Sequence, residues 1–343
     1  MSLKAKDIAK ILDISPSTVS MVLNNKPGIS DNRRQQIIKK INELGCGHLL
    51  KKIGTASGKN IGFVVYKTIG VIIDESPFFS LIIEGVNVQA RKYGYNLMMI
   101  HIDRNMLVDE CVKQVRDCHC DGLIIFGVEM FSADVALFRN IGLPFVIVDN
   151  YFVDEDVDTV SINNKQGVRK SVKHLTELGH RKIGYIKSNE IINSFSERYE
   201  TYLGILRELG LEFDERYVFP LQYSENGSYL DMKRFLDEGR KLPSALVADN
   251  DLLAFSAMKA IQESGYRIPD DVSVIGFDDR PICLLSDPQM TTVLVPKDSF
   301  GPASVDLLVS RFENPQKNCF RIEIGVELIQ RGSVSEWKDT LWK

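Results

Sequence analysis

Long apolar runs are missing from this 343-residue chain. Its hydrophobic stretches are strand-sized, well short of the roughly 18–20 residues that a membrane-spanning helix needs. The first residues, Met-Ser-Leu-Lys-Ala-Lys-Asp, carry no apolar segment behind their basic side chains to serve as an export signal. A cytoplasmic protein with no membrane partner is expected. Cysteine is scarce as well: Cys46, Cys111, Cys118, Cys120, Cys283 and Cys319 are scattered as reduced thiols are, without the density of a disulfide scaffold. The run Cys118-His119-Cys120 invites a metal reading with Cys111, but Val112, Val115 and Cys118 share one helical face leading into the strand-like Gly122-Leu-Ile-Ile-Phe. There is no HExxH, no GxSxG, no dinucleotide fingerprint and no pair of catalytic carboxylates at readable spacing. The acidic stretch Asp154-Glu155-Asp156 with Asp158 reads as a solvated loop, and the five histidines show no ligand spacing. Gly54-Thr-Ala-Ser-Gly58-Lys59-Asn60 imitates a phosphate loop, yet it is one residue short, ends in Asn and precedes a strand instead of following one. Neither catalytic residues nor a cofactor nor a metal is expected, which sets the enzyme class aside.

What the chain does have is a lopsided charge distribution. Residues 1–60 carry eleven Lys and Arg against four acids, a net of +7, while the whole chain is −4, leaving −11 for the remainder. A basic segment on an acidic body confines attraction for a polyanion to the N-terminus. That segment begins with two short amphipathic stretches: Ile8, Ala9, Ile11 and Leu12 mark one apolar stripe, and Val19, Val22 and Leu23 mark another. Between them, Asp13-Ile14-Ser15-Pro16 ends one helix and starts the next, with Ser15 as N-cap and Pro16 at the first helical position. Pro16, Ser17, Thr18, Ser20 and Met21 then fall on the outer side of the second helix, where helix-turn-helix proteins meet DNA. An ordinary helical hairpin inside a larger core is the competing explanation, and the local charge argues against it. A third helix follows, capped by Ser30-Asp31-Asn32, with Ile37, Ile38, Ile41 and Leu44 inward and Gly45 at its end.

At this length more than one core is expected, and the 44% hydrophobic and 26% charged composition is that of a globular protein. The expected organisation is a DNA-binding domain over 1–46, a linker over 47–59, a large domain over 60–335 and a tail over 336–343. In the large domain, strands near 61–66, 95–100, 122–127, 144–149, 159–162, 182–187, 245–249, 272–278 and 291–295 alternate with helices such as 79–93, 164–178, 196–209, 250–264 and 298–313. Such alternation predicts parallel sheets covered by helices, with ligands at the carboxyl ends of the strands.

These residues together resemble the lactose-repressor (LacI) family of bacterial transcription regulators along essentially the whole chain. The resemblance rests on Asp7-Ile8-Ala9, Ser15-Pro-Ser-Thr18-Val19-Ser20, Val22-Leu23-Asn24 and Lys26-Pro27-Gly28-Ile29-Ser30. In the body it rests on Pro77-Phe78-Phe79, Tyr93-Gly94-Tyr95, Leu178-Gly179-His180, Asp249-Asn250-Asp251 and Ile268-Pro269-Asp270-Asp271 running to Asp278-Asp279. It implies an all-α helix-turn-helix headpiece joined to an α/β two-lobed, periplasmic-binding-protein-like (type I) effector domain. Its first lobe would use about 60–160 and 292–318, and its second about 161–291 and 319–333. The family's function would then be that of a homodimeric regulator, a repressor, controlled by a small carbohydrate effector and bound to a pseudo-palindromic double-stranded DNA operator. Thr18, Ser20, Asn24 and Arg33 would meet phosphates, and Pro16, Ser17 and Met21 would lie near bases, with Ser15 at the helix start. Phe78, Phe79, Asp149, Arg198, Asn250 and Asp278 fall where the family contacts its effector. Carboxylates, a guanidinium fork and an amide suit hydroxyls, and a phenyl ring covers a sugar's apolar face. Taken singly, Asp278 and Asn250 would equally serve as helix caps and Arg198 as a surface residue. A solute-binding protein of a transport system is the alternative, which the basic segment disfavours.

Three departures stand out. Met21 replaces an arginine that reads guanine, so apolar contact is all that position offers. The hinge-helix motif is replaced by Leu49-Leu50-Lys51-Lys52-Ile53-Gly54-Thr55, in which Leu49, Leu50 or Ile53 would have to supply any minor-groove wedge. Residues 66–76 lengthen the connection after the first strand, and Val71-Ile72-Ile73 predicts an added strand or hairpin. That segment would pack on a partner subunit, cover the pocket or simply elaborate the first lobe.

Overall fold

The computed structural model describes residues 5–23, 29, 31–43, 59–74 and 78–338. The first unit is three helices, α1 (Ala5–Ile11), α2 (Pro16–Leu23) and α3 (Asp31–Glu43). The Ser15 hydroxyl accepts the Thr18 amide at 3.0 Å, closing the start of α2, and Pro16 takes the first helical position, where no amide is needed. Ile8, Ala9, Val19, Val22, Leu23, Ile37 and Ile41 form the small core, with Leu12, Ile14, Ile29 and Ile38 packed at its edge. Ile11 departs from the expected stripe and is 52% exposed. At 100° per residue Ala9 and Leu12 lie to one side of Ile8 and Ile11 to the other, and the core takes the first side. The expected linker positions Leu49, Leu50 and Ile53, and Asn24, Leu44 and residues 339–343, lie outside the described residues.

The body opens with β1 (Asn60–Lys67), α4 (Val71–Asp74), α5 (Phe78–Lys92), β2 (Asn96–Asp103), α6 (Val108–Asp117), β3 (Gly122–Phe126), α7 (Val135–Ile141), β4 (Phe145–Val148) and β5 (Asp158–Ile162). It continues with α8 (Asn164–Glu177), β6 (Ile183–Ser188), α9 (Asn193–Glu208), β7 (Val218–Leu221), α10 (Glu225–Asp237), β8 (Ala245–Ala248), α11 (Asp251–Glu263), β9 (Ser273–Asp278), α12 (Ile282–Leu285) and β10 (Thr291–Leu294). It closes with α13 (Phe300–Glu313), β11 (Arg321–Ile324) and β12 (Glu327–Ile329).

Two six-stranded sheets result, ordered β11-β5-β4-β3-β1-β2 and β12-β10-β9-β8-β6-β7. All pairings are parallel except β10 with β12. Strands β3, β5, β8 and β9 are buried at every position, because helices cover both faces, and β3 and β8 read as continuous apolar runs. Helix α13 lies on the first sheet against α5. There Gly301 and Gly85 meet so closely that a Cβ on Gly301 would sit 2.1 Å from the Gly85 carbonyl carbon, and only glycine permits the contact.

The chain passes between the sheets three times, after β5, after β10 and after β11. The third passage corrects an expectation: residues 319–324, assigned to the second lobe, join the first, where β11 pairs with β5 from Arg321–Thr159 to Ile324–Ile162. The 66–76 segment also differs from the strand or hairpin expected of it. Gly70, at φ 84°, turns the chain into the short helix α4, and the amides of this stretch are taken up by a side chain instead of a neighbouring strand.

Candidate functional site

Strand ends in a parallel sheet deliver polar side chains to one rim, and here the rims of the two sheets face each other across a cavity. It encloses about 420 Å³ not filled by protein atoms, part of it open to solvent. Asp149 follows β4, Asp278 ends β9, Asn250 precedes α11, and Arg198 lies in α9; all four line this cavity. Four positions separated by up to 129 residues in sequence are therefore brought together. Phe78 and Phe79 begin α5, and their side chains lie outside the described residues.

Arg198 is the buried centre of the polar wall, 3% exposed. Its Nε donates to Asn164 Oδ1 at 2.8 Å, one terminal nitrogen donates to the Asp249 carbonyl, and the guanidinium lies 3.6 Å from the centre of the Phe277 ring. The other terminal nitrogen stands 3.6 Å from Asp278 Oδ1, an ion pair too long for a good hydrogen bond. Asn250 caps α11 by accepting the Leu253 amide at 3.2 Å and also donates to the Tyr223 hydroxyl at 2.9 Å. Its capping role and its place in the cavity wall coexist.

The two carboxylates are unusual in three respects. Asp149 at φ 65° and Asp278 at φ 110° hold backbone conformations that few side-chain-bearing residues adopt, as strained functional positions do. Among the described residues no donor hydrogen-bonds either carboxylate. Burial pushes the Asp149 carboxyl up to about 7, with the charge of Asp278 adding to the rise and Arg198 opposing it. Burial likewise raises Asp278, against the pull of Arg198, Lys297 and Arg280. Carboxylates that face the cavity without a protein donor are what a hydroxyl-bearing ligand would satisfy.

By contrast, neighbouring acids are fully engaged. Asp249 accepts from the Tyr185 hydroxyl at 2.6 Å and the Ser188 amide at 2.6 Å, and Asp251 accepts from Thr292 Oγ1 at 2.6 Å and the Arg280 amide at 2.7 Å. They tie strand ends together. Cys111 and Cys120 are buried in the apolar core of the first lobe, and no cluster of metal-ligating side chains occurs among the described residues.

Most of the remaining wall escaped the sequence. Ile72, Ile73, Phe126, Val128 and Ile162 line the first-lobe side, and Ile192, Ser194, Phe195 and Tyr223 the second-lobe side. Phe195 sits one turn before Arg198 in α9, so helical spacing from Arg198 is the one signal that points to it.

Beside the cavity the lobes are clasped directly. Asn193, at the start of α9, donates to Asn150 Oδ1 at 3.0 Å and to the Tyr151 carbonyl at 2.8 Å, and the Tyr151 hydroxyl donates to Glu197 at 2.5 Å. This clasp adjoins both Asp149 and Arg198 in sequence.

In the three-helix unit, Ser15, Pro16, Ser17 and Ser20 are exposed, Thr18 and Met21 half-buried, and Arg33 is exposed on α3. The hydroxyl of Ser15 lies 2.7 Å from those of both Ser17 and Thr18. No helix among the described residues is long and apolar enough to cross a membrane.

Residues 4–46 match the family described as bacterial regulatory proteins, lacI family, and residues 172–334 match the periplasmic binding protein-like domain. The chain is 30% identical over 337 residues to the HTH-type transcriptional repressor PurR of Mannheimia succiniciproducens, covering 96% of this chain and 98% of that one. It is 28% identical over 337 residues to the ribose operon repressor of Haemophilus influenzae, covering 97% and 99%. A solved complex of the transcriptional regulator CelR with cellobiose superimposes with TM-score 0.72 at 25% identity, over 97% of this chain and all of that one. The lac repressor dimer bound to operator and an anti-inducer shares the fold, with TM-score 0.71 at 22% identity over 98% of this chain and 100% of that one.

Proposed function

This chain belongs to the LacI family of bacterial regulatory proteins, and from that premise we propose that it is a cytoplasmic, homodimeric transcriptional repressor whose DNA affinity is set by a small polyhydroxylated effector. Each headpiece addresses one half-site of a pseudo-palindromic operator. Pro16, Ser17 and Met21 face base edges, and Thr18, Ser20, Asn24 and Arg33 approach phosphates.

The observation that carries effector control is the pair of undonated carboxylates, Asp149 from one lobe and Asp278 from the other, facing a common cavity with Arg198 and Asn250. A ligand whose hydroxyls donate to both carboxylates binds the closed arrangement more tightly than an open one and so shifts the lobe equilibrium. In a dimer that shift changes the separation of the two headpieces. Coupling of this kind is reciprocal: effector changes operator affinity by the factor that operator changes effector affinity.

Two measurements test this. Duplexes selected from a random pool by the full chain are expected to share a pseudo-palindrome, and a failure to enrich any sequence would overturn the DNA half. Thermal-shift screening against sugars is expected to raise the melting temperature for at least one of them by linkage. That shift should vanish in Asp278→Asn; a shift that persists there refutes the site.

A further inference from the structure

A single buried acid holds the 68–72 turn that leads into α4. Glu129, 2% exposed, lies just beyond β3. Its Oε2 accepts the amides of Thr68 at 2.9 Å, Ile69 at 2.8 Å and Gly70 at 2.8 Å, and its Oε1 accepts the amide of Ile72 at 3.1 Å. The Thr68 hydroxyl also donates to the Glu129 carbonyl at 2.9 Å. Four backbone donors around one carboxylate form a nest, and such nests favour the charged acceptor that fills them. Gly70 at φ 84° lets successive amides turn to a common point. The product of this wrapping is α4, whose Ile72 and Ile73 are 5% and 3% exposed and line the cavity.

The cavity is consequently two-faced. Among the described residues, the wall given by the first lobe is apolar apart from Asp149: Ile72, Ile73, Phe126, Val128 and Ile162. The opposite wall carries its polar groups, Ser194, Arg198, Tyr223, Asn250 and Asp278, beside Ile192 and Phe195. A free sugar, with hydroxyls around its whole ring, leaves those on the apolar side without partners, at the cost of losing their water. A ligand with hydroxyls on one edge and hydrocarbon on the other satisfies both walls.

We propose that Glu129 is a positioning residue for specificity: by fixing the 68–73 turn it presents Ile72 and Ile73 to the effector and selects a polyhydroxylated molecule bearing an apolar substituent over its unsubstituted parent. This rests on the cavity being the effector site. Glu129 itself does not line the cavity and acts through the isoleucines.

Calorimetric titration of the full chain with D-glucose, D-galactose and D-ribose, each against its phenyl β-glycoside, tests the proposal. At least one glycoside is expected to bind tenfold or more tightly than its parent, because the isoleucine wall removes its ring from water. In Glu129→Gln, whose amide brings N–H donors into the nest, that ratio should fall below about threefold while the parent sugar's affinity changes little. Amide exchange at 68–72 should accelerate in the same variant. The double variant Ile72→Thr, Ile73→Thr should lower the ratio equally with the nest intact, which keeps the test decisive if Glu129→Gln does not fold. Parent sugars that bind as well as glycosides, or a preference that survives both variants, would overturn the proposal and leave the cavity as the effector site. Binding of no member of any pair would overturn both.

Discussion

Asp149→Asn is expected to make the protein more stable and, at the same time, unable to respond to effector. The wild-type carboxyl is raised from 3.8 to about 7 by burial. Between those values the folded chain holds a proton that the unfolded chain has released, so stability falls as pH rises through this window and is flat above it. At 1.36 kcal/mol per pH unit, a shift of this size amounts to about 4 kcal/mol above pH 7 for a carboxylate wholly withdrawn from water. The side chain is half-buried, and solvent screening reduces the expected effect to about 2 kcal/mol. Asparagine is the right replacement because it removes the charge, keeps the shape and tolerates the φ of 65° found here. Urea unfolding of both proteins at pH 4.5 and pH 8 measures the difference: the variant's advantage should be small at the lower pH and reach its plateau near pH 8. Effector binding should fall at least about tenfold, since the amide offers a donor where a ligand hydroxyl seeks an acceptor. An advantage that does not depend on pH, or a variant less stable at pH 8, refutes the assignment of Asp149 as a strained, charge-penalised effector contact.

Arg198→Met keeps the stem but strips the donors from Asn164 and the Asp249 carbonyl and the cation from Asp278; a loss of about 3–5 kcal/mol in urea unfolding is expected. A loss under about 1 kcal/mol would mean that Arg198 is not the organising charge of the wall. Tyr151→Phe removes one bond of the lobe clasp, worth about 1.5–3 kcal/mol because its acceptor is charged, and should enlarge the radius of gyration in small-angle scattering; unchanged scattering refutes the clasp. Met21→Arg should introduce a guanine preference worth about 1–3 kcal/mol at one operator position, seen by selection from a random duplex pool; a wild type already selective for guanine there would contradict the apolar contact assigned to Met21.

The strands legible in the sequence were the buried ones. β1, β3, β4, β6, β8 and β9 are built on short apolar runs because both of their faces are covered, and β2, β5 and β10 were legible beside them. The three that sequence did not reveal, β7, β11 and β12, are all sheet edges. Pro220 in β7, Arg321 and Glu323 in β11 and Glu327 in β12 are the residues that keep an edge from pairing with another chain, and they also erase the strand signal. A similar logic divides the cavity. Its polar residues stand at strand ends and helix starts, where motif and position mark them, whereas Ile72, Ile73, Phe126 and Val128 are indistinguishable in sequence from core residues. Val71-Ile72-Ile73 has β-branched composition and reads as a strand; the nest on Glu129, 57 residues or more away, decides otherwise.

The order in which the chain is made sets a schedule that its threefold passage between sheets enforces. β5 is finished at residue 162 and waits for β11, which begins at residue 321. At ribosomal speeds of roughly 5–20 residues per second, that interval is on the order of 8–30 s, during which the flank of a parallel sheet stands open to a nascent neighbour. The flank of the second sheet waits a shorter time, since β10 ends at residue 294 and β12 seals it at residues 327–329. A chain ended upstream of residue 321 therefore leaves both sheets without a flank strand, so that a headpiece is not released with one lobe finished and the other missing.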